Sequence, residues 1–97
     1  MSNKVTTFDI SEYLDSNEAI SEYLSQVLKD GDSNEFLRAI GHIAKAKGMS
    51  KIAKETGLGR ESLYKSFKEN AKPRFDTVVK VLNALDIDLQ INQRVSN

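Results

Sequence analysis

The sequence predicts an all-α fold of five helices followed by one short C-terminal strand. Apolar residues recur at the 3.6-residue spacing of amphipathic helices from Ile20 to Leu85. Successive apolar stripes end at a glycine, the residue most common just beyond a helix C-terminus. These glycines are Gly31, Gly48 and Gly57. Only after Asp86 does the pattern change to the apolar–polar alternation of a strand.

Capping signals place the beginnings of the first two helices. Asp15 and Glu18 stand three residues apart in front of an apolar stripe, and Asp32 and Glu35 repeat the arrangement. In such a capping box each side chain accepts a hydrogen bond from the other residue's backbone N–H. The first helix should therefore end at Gly31 and the second near position 48. The two stripes comprise Ile20, Tyr23, Leu24, Val27 and Leu28, then Phe36, Leu37, Ile40, Ile43 and Ala44.

Three shorter helices and the strand complete the prediction. Ser50 is placed to cap a third helix that ends at Gly57. A fourth helix is expected over about 60–69, and a fifth is marked by Phe75, Val78, Val79, Leu82 and Leu85. Residues 87–91 alternate as a strand does, and a lone strand leaves its backbone groups unpaired. The expected partner for this strand is a second copy of the chain.

Length and composition predict one domain and exclude several classes of site. The chain has 97 residues, which we divide into a flexible N-terminal arm at 1–7, one helical domain at 8–92 and a tail at 93–97. There is no cysteine and only one histidine, His42, so a disulfide framework and the usual zinc sites are excluded. We expect no metal, no cofactor and no enzymatic activity. No apolar run is long enough to span a membrane and no signal peptide is evident, so we expect a cytoplasmic protein.

Charge is distributed unevenly although the net charge is zero. Residues 1–40 carry three basic and eight acidic side chains, whereas residues 41–80 carry ten basic and four acidic ones. The first segment is therefore net −5 and the second net +6. Such asymmetry predicts a basic surface for a polyanion and an acidic surface for another partner, or else two solvated faces that attract each other.

A helix-turn-helix is predicted over residues 50–69. Two helices that cross steeply through a short turn need a small residue at their contact, and Ala53 provides it. The turn needs a residue that tolerates positive φ, and Gly57 follows four positions later. Three apolar residues would fill the wedge between the helices: Ile52, Leu58 and Leu63.

The second helix of this motif would lie in the major groove of DNA. Its outward side chains include donors for guanine, an acceptor for cytosine and a tyrosine for a thymine methyl group or a phosphate. The basic connector and the beginning of the preceding helix would contact phosphates. The predicted DNA-binding residues are Ser50, Lys51, Arg60, Glu61, Ser62, Tyr64, Lys65, Lys68, Lys72 and Arg74. Taken singly, a charged residue on a short helix is more often simply solvated.

Short motifs spread over almost the whole chain, from Phe8 to Ile91, carry a family resemblance. They lie at 8–14, 18–20, 23–24, 36–37, 43–50, 52–53, 56–58, 60–65, 73–75, 77–78, 80–82 and 84–85. With these motifs the sequence resembles the addiction-module antidote family, HigA-like antitoxins of the Xre/Cro-like (lambda-repressor-like) helix-turn-helix group. It differs at Gly59, where relatives often have serine, and in the connector 70–73, where a glycine is expected. Glycine is still an acceptable N-cap.

The resemblance implies a dimer that binds its operator, represses its own operon and neutralises a small basic toxin of the RelE/HigB-like class. The acidic face of residues 5–32 would suit such a toxin, and the residues that we expect to contact it are Asp15, Glu18 and Glu22. The dimer contact is expected in the final helix and strand, 75–92. Two alternatives remain open: a stand-alone phage- or plasmid-type repressor, and a protein-interaction module without DNA binding.

Overall fold

The computed structural model describes residues 16–94, and within them the chain forms four helices and no strand. The helices are α1 (Asn17–Asp30), α2 (Ser33–Thr56), α3 (Arg60–Ser66) and α4 (Phe75–Ala84). The all-α class is therefore confirmed for this part of the chain. The predicted arm at 1–7, the beginning of the predicted domain and residues 95–97 of the tail lie outside the described residues.

The predicted number of five helices is wrong for the described residues. The expected second and third helices are two helical segments of one element, α2, joined across a break at Gly48. Gly48 has φ 113° and ψ 104°, far from helical values, yet the helix resumes on its other side. A conformation with such a φ is open to glycine and strained for other residues. This glycine therefore bends the helix where the sequence predicted that it would end.

Two N-terminal caps fix where α1 and α2 begin. The Ser16 hydroxyl accepts a hydrogen bond from the Ala19 N–H at 3.0 Å, so α1 begins one residue later than the predicted Asp15 cap. The capping box predicted for α2 is confirmed. The Asp32 carboxylate accepts from the Glu35 N–H at 2.9 Å, and the Glu35 carboxylate accepts from the Asp32 N–H at 3.3 Å.

The core lies around α2, which packs against the other three helices. All four helices and the residues directly after α3 and α4 contribute apolar side chains to it. Burial of this apolar surface is the main stabilising contribution in such a small domain. The core residues are Ile20, Leu24, Ala39, Ile40, Ile43, Ala44, Met49, Ile52, Leu63, Phe67, Val78, Val81, Leu82, Leu85 and Ile87.

A Schellman motif ends α4 and explains why the predicted strand does not form. The Asp86 N–H donates to the Asn83 carbonyl at 3.0 Å, and the Ile87 N–H donates to the Leu82 carbonyl at 2.9 Å. Asp86 takes the left-handed conformation that this motif requires, with φ 63°. The turn buries Ile87, after which residues 88–94 have no regular secondary structure. The C-terminal strand prediction is therefore wrong for residues 16–94, which contain no strand with which these residues could pair.

No helix within residues 16–94 is both long and apolar enough to cross a lipid bilayer.

Candidate nucleic-acid interface

A three-residue turn, 57–59, joins α2 to α3. Gly57 has φ 77° and ψ 9°, the left-handed conformation predicted for it, and its N–H donates to the Ala53 carbonyl at 2.9 Å. Gly59 is the N-cap of α3 in an extended conformation and makes no side-chain cap. The Leu63 N–H donates to the Gly59 carbonyl at 3.0 Å, which begins the hydrogen bonding of α3. The turn thus sets the direction in which α3 leaves α2.

Thr56 braces this turn through its hydroxyl group. The hydroxyl donates to the Ile52 carbonyl at 2.8 Å and accepts from the Leu58 N–H at 3.2 Å. One hydroxyl group therefore forms a hydrogen bond with a carbonyl near the end of α2 and also gives the half-buried Leu58 N–H its acceptor. Sequence reasoning missed this role, although a threonine directly before the turn glycine is a signal that was present.

The apolar wedge between the two helices matches its prediction. Ile52 and Leu63 are almost completely buried, while Ala53 and Leu58 are half-buried against the core. Phe67, directly after α3, is also buried. Because Leu63 and Phe67 are four residues apart, they fix one face of α3 against α2 and turn its opposite face to solvent.

The exposed surface of α3 carries five of the six residues predicted to read DNA from this segment; the helix ends at Ser66 rather than near 69, so Lys68 lies beyond it. All six are exposed: Arg60, Glu61, Ser62, Tyr64, Lys65 and Lys68. The Arg60 guanidinium carbon lies 6.0 Å from the centre of the Tyr64 ring. Ser66, predicted to face inward, is half-buried and its hydroxyl donates to the Ser62 carbonyl at 2.8 Å. This arrangement offers cationic and hydroxyl groups on a short, anchored helix.

Ser50 and Lys51 lie just after the break in α2. Both are exposed, two and three residues beyond Gly48, whose non-helical φ and ψ separate two helical segments. A separate helical element beginning at Ser50 is not supported, because both segments belong to α2, but the two residues do stand in the first turn of the second segment. Their side chains can therefore reach a phosphate from the beginning of that segment.

The connector 70–74 follows α3 and carries two further predicted cations. Asn70 takes the left-handed conformation with φ 69°, which asparagine tolerates better than most residues, so no glycine is needed there. Lys72 and Arg74 are exposed. The Arg74 side chain donates to the Asp76 carboxylate at 3.1 Å. This hydrogen bond lowers the pKa of Asp76 below its usual 3.8.

The acidic residues predicted to contact a protein partner lie on α1. Glu18 and Glu22 are exposed there, whereas Asp15 lies outside the described residues. Glu22 also lines a groove of about 720 Å³ between α1 and α2, together with Asp30 and Glu35. Among residues 16–94 no group of three or more His, Asp or Glu side chains is placed to hold a metal ion.

Comparison with known proteins identifies the family. A family model for a "probable addiction module antidote protein" matches residues 4–93. The chain belongs to this family. The matched region spans α1, the α2–α3 turn, α4 and the segment after it, and so includes both the acidic and the basic surfaces.

A relative from Haemophilus influenzae, strain Rd, supports the same grouping. It is an uncharacterized protein that is 40% identical to this chain over 93 residues, which cover 96% of each chain. No solved structure matches the chain significantly.

Proposed function

We propose that this chain is the antitoxin of a type II toxin–antitoxin pair, acting in the cytoplasm by binding rather than by catalysis. In this proposal it binds its operator as a dimer, represses its own operon and neutralises a RelE/HigB-like toxin. Membership of the antidote family supports the antitoxin role. The observation that carries the DNA-binding role is the anchored helix α3, whose buried Leu63 leaves Arg60 and Lys65 exposed.

The proposed DNA complex places α3 in the major groove, as in the Xre/Cro-like helix-turn-helix group. Arg60 and Lys65 would donate to guanine, Glu61 would accept from a cytosine amino group, and Ser62 would serve either. Tyr64 lies on the same surface. The remaining cations and hydroxyl would contact phosphates and fix the orientation of the helix. These residues are Ser50, Lys51, Lys68, Lys72 and Arg74.

The proposed dimer uses α4 and the segment after it. Phe75 is 71% exposed and Ile91 is 95% exposed, and Leu89 on the same segment is 41% exposed. Large apolar side chains at such exposure are stabilised when a partner covers them. A second copy, related by a two-fold axis, would cover them. Sedimentation equilibrium of the wild type and of Ile91→Lys tests this contact. We expect the wild type to be a dimer and the substitution to weaken the association.

The proposed toxin surface is the acidic face of α1. Glu18 and Glu22 would attract a basic toxin, and Asp15 precedes them in the chain. Charge reversal of the three residues should weaken co-purification with the toxin at least tenfold. The control reverses Glu55 and Glu69, two exposed acids outside α1. Unchanged toxin binding after reversal of the α1 residues would show that this face is not the contact.

A growth assay tests the antitoxin role directly. The product of the small open reading frame adjacent to this gene is expressed alone and together with the chain. We expect growth arrest in the first case and recovery in the second. Arrest without recovery excludes neutralisation of that product, and operator binding without any toxic neighbour supports a stand-alone repressor instead.

A further inference from the structure

The pairing of Arg60 with Tyr64 assigns a role to the tyrosine that sequence alone did not. Arg60 is the first residue of α3 and Tyr64 follows one turn later, so the two side chains lie on the same helix face. The guanidinium carbon lies over the Tyr64 ring, 6.0 Å from its centre. Tyr64 is 41% exposed, so this contact is open to solvent and to a ligand.

We propose that Tyr64 is a positioning residue, whose ring holds the Arg60 guanidinium in the orientation that contacts a guanine. This inference rests on the proposed DNA-binding function. A guanidinium stacked on an aromatic face keeps the N–H groups at its edge free. Those N–H groups are the ones that form two parallel hydrogen bonds with the O6 and N7 atoms of guanine.

The surroundings of Arg60 leave its charge available for this role. Within residues 16–94, Arg74 forms an ion pair with Asp76, whereas Arg60 forms none. Its neighbour Glu61 is one residue along the helix, and adjacent residues do not face each other. The tyrosine ring under the guanidinium therefore restrains Arg60 without neutralising it. An unrestrained arginine would lose more side-chain freedom on binding a base.

The proposal distinguishes the aromatic ring of Tyr64 from its hydroxyl. If the ring positions Arg60, Tyr64→Phe retains the function and Tyr64→Leu loses it. If the hydroxyl contacts DNA, Tyr64→Phe and Tyr64→Leu are equally impaired. The loss should also appear in the preference for operator over scrambled DNA, because a positioned arginine reads a base. A purely structural defect would weaken binding to both DNA molecules alike.

The experiment measures the affinity of the full chain for operator DNA and for scrambled DNA. The proteins compared are the wild type, Tyr64→Phe, Tyr64→Leu, Arg60→Ala and the double variant Arg60→Ala/Tyr64→Leu. We expect Tyr64→Leu to reduce operator affinity about two- to fivefold, in line with an exposed cation–π contact. Tyr64→Phe should match the wild type. The double variant should bind no more weakly than Arg60→Ala, because both changes remove the same contact.

A readout without DNA separates failure of this inference from failure of the proposed function. In the free protein, the ring current of Tyr64 should shift the NMR signals of the Arg60 side chain upfield. The shift should persist in Tyr64→Phe and vanish in Tyr64→Leu. Absence of the shift, equal impairment of Tyr64→Phe and Tyr64→Leu, or additive effects in the double variant would overturn the positioning role. A normal shift in a wild type that shows no operator preference would mean that the DNA-binding function fails, and the positioning role with it.

Discussion

Gly41 and Phe67 approach each other so closely that a Cβ atom added to Gly41 would lie 2.8 Å from the Cβ of Phe67. Gly41 is in the middle of α2, and Phe67 directly follows α3. The contact therefore sets how near the end of α3 lies to α2. Since the obstructing atom is next to the backbone of Phe67, a rotamer change cannot relieve the clash.

Gly41→Ala should destabilise the fold by about 1–2 kcal/mol, because overpacking outweighs the higher helix propensity of alanine. Urea unfolding measures the loss. Gly59→Ala is the matched control, since its added Cβ would have only the Ser62 hydroxyl nearby, at 3.8 Å. That control should cost less than Gly41→Ala. A Gly41→Ala variant more stable than the wild type would contradict the close packing.

Thr56→Val should reduce the free energy of unfolding by about 1–2 kcal/mol, because the half-buried Leu58 N–H loses its acceptor. The amide hydrogen of Leu58 should also exchange faster with solvent. Thr56→Ser keeps the hydroxyl and should retain slow exchange at Leu58. Equal exchange rates in Thr56→Val and the wild type would show that the hydroxyl does not brace the turn.

Asp86→Gly should stabilise the fold by about 0.5–1 kcal/mol, because glycine adopts the left-handed conformation of the Schellman motif without strain. Thermal unfolding measures the change. Asp88→Gly is the control, since Asp88 lies two residues later at an exposed position without positive φ. It should give no gain. A loss of stability in Asp86→Gly would argue against the left-handed conformation of this residue.

The carboxyl group of Asp76 should titrate at a pKa below 3.8, and Arg74→Ala should raise that pKa towards 3.8. A carboxyl pKa that is lower in the folded chain stabilises the fold above pH 3.8, and this contribution is lost as the pH falls through the folded pKa. An NMR titration of the carboxyl carbon measures the pKa. Lys72→Ala, which removes a nearby cation of the connector, should leave it unchanged. An equally low pKa in Arg74→Ala would exclude the ion pair as its cause.

Local signals in the sequence predicted the parts of the fold that depend on near neighbours. The capping box of Asp32 and Glu35, the left-handed Gly57 and the burial of Ile52 and Leu63 each follow from residues a few positions apart. The resemblance to the antidote family is also confirmed, whereas the assignment to the HigA-like, Xre/Cro-like group stays a prediction. These signals fix where helices begin and which face is apolar.

The predictions from sequence were wrong or incomplete where the structure depends on contacts between residues that are far apart in the chain. Gly48 carries the signal of a helix end, but packing on both sides of it lets α2 continue through a kink. Residues 87–91 alternate like a strand, yet only Ile87 finds a core position within one chain. The close approach of Gly41 to Phe67 joins two helices, so no local spacing predicts it. The DNA and toxin contacts stay predictions.

The most direct test of the proposed repressor is the binding of the full chain to the DNA upstream of its own gene, compared with scrambled DNA, by fluorescence anisotropy at several salt concentrations. We predict tight binding that weakens as salt rises and that prefers the upstream DNA. Arg60→Ala and Lys65→Ala should each reduce that preference about five- to 150-fold, whereas Lys80→Ala, a cation on α4, should not. Equal affinity for both DNA molecules, or no binding even at low salt, would contradict the account and favour a protein-interaction module.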